Sequence, residues 1–245
     1  MSKLNIIVII VLIVGLLSGC HSKFETLPEE ISINVGDIIK FGGYDWRVLN
    51  VQDGRILIIT EGIIQHRDYN NNKFDTVTWA DCELRQYLNE AFYNSFNDED
   101  RAKIIQMTNR NPDNPWYGTD GGEDTQDHIF PLSIEECVKY FGDSRQLSNQ
   151  PIGDTRYGWL AETPLWYIHD EYDDNRKAGY ADGVENYGEE FGAWWLRTPG
   201  WNGALPAGTA FVGYVGSIEV GGNFSGDALA SVGGVRPALW LRHQK

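Results

Sequence analysis

The chain is short of cysteine and of positive charge. Three cysteines among 245 residues are too few for a small disulfide-stapled scaffold. Twenty Lys and Arg against 35 Asp and Glu leave a net charge of −15 at pH 7. Nucleic-acid binding rests on a basic footprint that this balance lacks, so no nucleic-acid partner is expected. The sequence has no Gly-x-Ser-x-Gly elbow, no glycine-rich phosphate loop ahead of a lysine and no His-Glu-x-x-His helix, which removes three common catalytic signatures. The histidines, at 21, 66, 128, 169 and 243, show no close ligand spacing. Internal repeats and low-complexity tracts are also absent.

The uninterrupted apolar run, Ile6 to Leu17, is shorter than the roughly 20 residues that a membrane-spanning helix needs. With Lys3 ahead of it and Leu17-Ser18-Gly19-Cys20 behind it, it has the layout of an export signal. The tetrad resembles the lipobox of bacterial lipoproteins. That resemblance implies removal of residues 1–19 and acylation of Cys20. Two or three acyl chains, at about 0.8 kcal/mol per buried CH₂, hold a protein stably to a membrane. The expectation is a lipoprotein anchored at the cell membrane on its extracytoplasmic face; an uncleaved signal anchor is the alternative. Loss of Lys3 leaves the mature chain at −16. Residues 20–33, polar and carrying Pro28, read as the lipidated cysteine and its tether. Residues 34–245 read as one large domain.

That domain opens with β-rich runs at 37–41, 45–51 and 55–60, separated by Gly42-Gly43 and Asp53-Gly54, the signature of a three-stranded meander. Thr78 is placed to cap a helix to about Phe96, since Leu84, Leu88, Ala91, Phe92 and Phe96 share a face. Asn97-Asp98-Glu99-Asp100 suits the start of a second helix ending near Met107. Ser133-Ile-Glu-Glu136 is a capping box opening a third, through Phe141. Cys82 and Cys137 fall on the expected helices, and spacing leaves open whether they are bridged or free. Residues 109–127 and 142–192 lack sustained periodicity, the mark of long functional loops. Strand-like sequence returns at 194–197, 210–215, 217–220 and 235–241.

Five ordered blocks, Gly43-Tyr-Asp-Trp-Arg-Val-Leu49, Thr78-Trp-Ala-Asp-Cys-Glu-Leu-Arg-Gln-Tyr-Leu-Asn89, Asp127-His-Ile-Phe-Pro-Leu-Ser133, Trp194-Trp-Leu-Arg-Thr-Pro-Gly200 and Gly234-Val-Arg-Pro-Ala-Leu239, resemble a bacterial family catalogued as domain of unknown function 6273. The resemblance covers about residues 35 to 242. The late blocks are also similar to those of C-type-lectin-like domains, including the formylglycine-generating-enzyme group. What this implies is an α+β, C-type-lectin-like fold: small twisted antiparallel sheets, two or three flanking helices, long irregular loops, and pairing of the first and last strands. The copper-holding cysteine pair of formylglycine-generating enzymes has no counterpart here, because no Cys follows Cys137.

Function must be argued from sites rather than fold. Trp116, Tyr117, Trp159, Trp166, Tyr167, Trp201 and Asn202 lie in Gly- and Asp-rich loops, where exposed rings beside polar groups suit sugar faces and protein hot spots alike. They are the candidate ligand-binding residues, with Tyr180 and Tyr187 in similar sequence. Arg197 and Arg236 interrupt apolar strands and are read as structural, each guanidinium held by carboxylates or carbonyls. No cofactor is expected; two acidic clusters, Asp120, Glu123, Asp124 and Asp127, and Asp170, Glu171, Asp173, Asp174 and Asp182, have the oxygen groups that calcium would require, but neither matches an EF-hand pattern. The expectation is a non-catalytic recognition module that binds a glycan or surface protein through loops 109–127 and 142–203. The alternative is an extracytoplasmic hydrolase or modifying enzyme with a carboxylate pair in those loops.

Overall fold

The computed structural model describes residues 32–71, 77–149, 167–200, 209–222 and 233–243. The leader, Cys20 and its tether, and Trp159, Trp166, Trp201 and Asn202 lie outside the described residues. The architecture is α+β, with two six-stranded sheets, a two-stranded one and short helices. No helix among the described residues is long and apolar enough to cross a membrane.

The expected meander forms as β1 (Ile38–Phe41), β2 (Tyr44–Gln52) and β3 (Arg55–Thr60). Both connections place two consecutive residues at positive φ, Gly42 and Gly43 at 56° and 88°, Asp53 and Gly54 at 47° and 70°. That is the backbone of a two-residue hairpin whose twist matches its strands. The last strand, β14 (Ala238–Arg242), pairs antiparallel with β3 rather than with the first strand. The reason lies in β3, where every residue from Ile56 to Thr60 is buried. A strand so enclosed needs a neighbour on each edge, whereas β1 keeps Ile38 37 % exposed at the sheet margin.

The first helix begins later than expected. Thr78 closes a turn in which its carbonyl accepts from the Asp81 and Cys82 amides. Cys82 is the N-cap of α1 (Glu83–Tyr87), its Sγ accepting from the Arg85 amide. The chain continues through one π-helical turn, Leu88–Phe92, into α2 (Tyr93–Ser95). The second helix, α3 (Asp98–Lys103), ends four residues short of Met107. Ile104 and Ile105 leave it as a strand, β5 (Ile104–Ile105), paired with Leu241 and Trp240 of β14, where branched side chains pack better than on a helix; β6 (Met107–Asn109), β7 (Thr125–Asp127) and β8 (Ile129–Phe130) follow. The third helix, α4 (Ile134–Phe141), has both capping-box hydrogen bonds.

Three tryptophans fill the interior: Trp46, Trp79 and Trp194 are each fully buried. Each indole N–H finds an acceptor, as burial demands: the Phe41 carbonyl at 2.8 Å, the Asp127 carboxylate at 2.8 Å and the Arg176 carbonyl at 3.1 Å. Asp127, also fully buried, takes further bonds from Arg85 Nε, Asn109 Nδ2 and Thr125 Oγ1. It ties the first helix to the 109–127 loop. Cys82 and Cys137 are buried free thiols, and burial pushes each up to about 12.

Candidate ligand-binding face

The second sheet runs β4 (Gln65–His66), β13 (Gly234–Val235), β10 (Trp194–Pro199), β11 (Thr209–Val212), β12 (Ile218–Glu219) and β9 (Tyr167–Ile168). Successive side chains on a strand point to opposite faces. Trp194, Val212, Ile218 and Ile168 are paired in register across four strands, and all are buried. They form the core face. The residues one step along, Trp195, Phe211, Glu219 and Tyr167, are paired in the same way and so line the outer face. Trp195, Phe211 and Glu219 are half-buried, and Tyr167 is 41 % exposed. At about 4.8 Å per strand, the row makes a band about 14 Å long, three rings and one acid.

Each member is held by its surroundings. Trp195 donates from Nε1 to the Arg67 carbonyl at 2.7 Å and meets Phe211 edge-on at 6.3 Å. Its ring packs over the Gly233 backbone, where a Cβ would fall 2.3 Å from the ring. Glu219 accepts from Ser217 Oγ at 3.1 Å. Across the hairpin, a Cβ on Gly213 would meet Ser217 Oγ at 3.1 Å and Glu219 Oε1 at 3.7 Å, so glycine leaves space beside the carboxyl. Burial pushes Glu219 up to about 7, against the opposing Ser217 hydrogen bond.

In the 109–127 loop, Tyr117 lies near enough to this acid to feel its charge. Burial, and then the Glu219 charge, raise its phenol to about 12. Its Oη is buried without a hydrogen-bond partner. Asn114 positions the loop: Nδ2 donates to the carbonyls of Pro199 at 2.7 Å and Val220 at 2.8 Å, the second adjoining Glu219 in sequence. Asn114 Oδ1 accepts from the amides of Trp116 and Tyr117. One amide side chain thus fastens the loop to the end of β10 and to the strand that bears the acid.

A family model described as Domain of unknown function (DUF6273) matches residues 53–243. The chain belongs to this family. No curated protein and no solved structure matches it. The match includes the entire outer row and Tyr117, together with four of the five sequence blocks; the block at 43–49 precedes it.

This DUF6273 member also carries an open polar cleft of about 610 Å³ where the 109–127 loop meets the start of α4. Arg110, Asn111, Asp124, Glu135, Glu136 and Arg197 are among its lining residues. Arg197 grips Glu136 with both terminal nitrogens and also donates to the Pro131 and Arg110 carbonyls. Burial alone would raise Glu136, but the Arg197 charge, the Arg197 hydrogen bonds and the Ser133 amide hold it below the usual range. Arg236 lies between the rings of Trp194 and Phe141 and donates to the carbonyls of Thr60, Arg176 and Glu61. Burial lowers it to about 10, which leaves it charged at neutral pH.

Among the candidate ligand-binding residues, Tyr167 is paired with Glu219 across the sheet, and Tyr117 lies near enough to feel the Glu219 charge. Trp116, from the same group, is only 5 % exposed and donates from Nε1 to the Leu147 carbonyl; its ring fills the core beneath the loop. Tyr180 and Tyr187 flank His66 instead, at 5.7 and 5.1 Å. The acidic clusters are largely engaged by the chain's own donors. Asp124 accepts from the Asn111 amide and Asp120 from the Gly122 amide; Asp170 and Asp173 hold Arg176, and Asp174 holds Lys177. Among the described residues no three His, Cys, Asp or Glu side chains are grouped so as to hold a metal ion. Sequence reasoning missed Trp195, Phe211, Glu219 and Asn114 as site residues. The inside-outside alternation of Trp194-Trp195 was the available signal for the first.

Proposed function

We propose that this protein is a non-catalytic recognition module on a C-type-lectin-like scaffold, held outside the cytoplasmic membrane by lipid on Cys20, that binds a glycan or surface protein. The outer row Trp195–Phe211–Glu219–Tyr167 carries this reading. Aromatic rings kept at a sheet surface, flanking a single hydrogen-bonding head, are the chemistry of recognition rather than of core packing. The loop 109–127 adds Tyr117 at the Glu219 end.

A hydrolase is less well supported. Glycoside hydrolysis needs two carboxyls about 5–9.5 Å apart. Burial and Ser217 account for the Glu219 shift, with no second carboxylate among the described residues acting on it. Glycan-array and pull-down measurements on the detergent-solubilised full chain test the proposal. Binding that is lost with Phe211→Ala supports it, and turnover of a substrate without saturable binding to any ligand overturns it. Mass spectrometry of the native protein tests the anchor: an intact Met1 terminus or an unmodified Cys20 sulfur removes it.

A further inference from the structure

We infer that the outer face takes an extended, uncharged glycan chain, laid across the strands from Trp195 to Tyr167, with the Glu219 carboxyl as its hydroxyl-binding group. This inference rests on the recognition reading above and narrows it to one ligand class.

The shape of the row gives the first argument. Its band is about 14 Å long, the length of a short oligosaccharide. A stable protein interface, by contrast, covers about 800 Å² on each partner. Pyranose rings present flat C–H faces to aromatic rings and hydroxyls at their edges, and the row alternates those two needs, ring, ring, carboxyl, ring.

Charge gives the second. The row holds no Lys or Arg, and its one carboxyl is that of Glu219. The basic side chains that approach it are engaged elsewhere: Arg67 lies over the Tyr87 ring at 4.0 Å, and His169, edge-on to Tyr167, is paired with Asp173. A uronic-acid or phosphate polymer would meet Glu219 and a chain of net charge −15, with no cation in the row to receive it among the described residues. An uncharged chain meets no such repulsion.

The test is isothermal titration of the detergent-solubilised full chain with neutral hexasaccharides of the gluco-, xylo-, manno- and N-acetylchito- series, and with oligogalacturonate as the anionic probe. Saturable binding to at least one neutral series is expected, with none to oligogalacturonate. Phe211→Ala and Tyr167→Ala should each weaken it about tenfold, roughly one stacked ring. Glu219→Ala should weaken it more than Glu219→Gln, which keeps a hydroxyl partner, and Glu99→Ala, remote on α3, should leave it unchanged. Circular dichroism of each variant establishes that it is folded. Preference for oligogalacturonate, or neutral binding unaffected by folded Phe211→Ala and Tyr167→Ala, overturns the inference. A protein captured through the row with no sugar bound overturns it too while sparing the recognition reading; absence of any ligand at the row defeats both.

Discussion

Replacing Glu219 by glutamine should stabilise the protein, and only above mildly acidic pH. In the unfolded chain a glutamate ionises near 4.5, whereas burial in the fold holds Glu219 at about 7. The folded state therefore binds the proton more tightly, so the group's contribution to stability is greatest at low pH and is lost as pH rises from about 4.5 through about 7. The full difference corresponds to roughly 3 kcal/mol at pH 8. The side chain is half-buried, and water screens part of that cost, which leaves about 1–3 kcal/mol. Glutamine keeps the shape and can still accept from Ser217 Oγ, but it has no charge to desolvate. Urea denaturation of Glu219→Gln and parent at half-unit steps from pH 4 to pH 8.5 measures the difference directly. The gap should be small at pH 4, open across the window and level off near pH 8. At its plateau it raises the melting temperature by about 2–4 °C per kcal/mol. A gap that is flat with pH, or a variant less stable than the parent at pH 8, would refute the claim that Glu219 is carried in a desolvating site.

Three further outcomes follow from the same geometry. Asp127→Ala strips the acceptor from Trp79 Nε1, Arg85 Nε, Asn109 Nδ2 and Thr125 Oγ1; it should cost about 3–5 kcal/mol in chemical denaturation, because the Arg85 charge is left without its partner. Asn114→Ala should cost about 2–3 kcal/mol by the same assay and, by releasing Tyr117 and the loop, weaken any ligand measured at the outer row; unchanged affinity would show that the loop takes no part. In the native protein at pH 7.5 neither Cys82 nor Cys137 should react with an aromatic disulfide reagent within minutes, since burial holds both thiols near 12. Unfolding in guanidinium should then release two thiols per chain if Cys20 is acylated and three if it is not.

Local signals carried much of the scaffold. Gly42-Gly43 and Asp53-Gly54 need positive φ at both positions, so the meander and its register follow from a few residues. The capping box at Ser133 is equally local and fixes where α4 starts. The misread boundaries have a common cause. Thr78 and the stretch after Lys103 have helical pattern or capping chemistry of their own, but tertiary partners decide: Thr78 is held in a turn, and Ile104-Ile105 complete the edge of β14. A contact with a strand more than 130 residues later leaves no mark on local periodicity.

The candidate site was less legible because register makes it. Trp195, Phe211, Glu219 and Tyr167 come from four strands, two of them only two residues long, and only Phe211 and Glu219, paired across one short hairpin, fall within a single local window of sequence. Loop position alone could not separate Tyr117, which feels the Glu219 charge, from Trp116 next to it, which fills the core. What does separate them is Asn114. By accepting from both amides and donating to two distant carbonyls, it fixes the backbone so that the adjacent rings differ in burial, Trp116 buried and Tyr117 half-buried. The twofold period of β10 does the same for Trp194 and Trp195. Anchoring the core and furnishing the outer face are thus one geometric event: a slip of β11 by one residue against β10 would turn Phe211 inward beside Trp194 and Val212 outward beside Trp195. The buried row therefore holds the outer row in place, and the site is as rigid as the core beneath it.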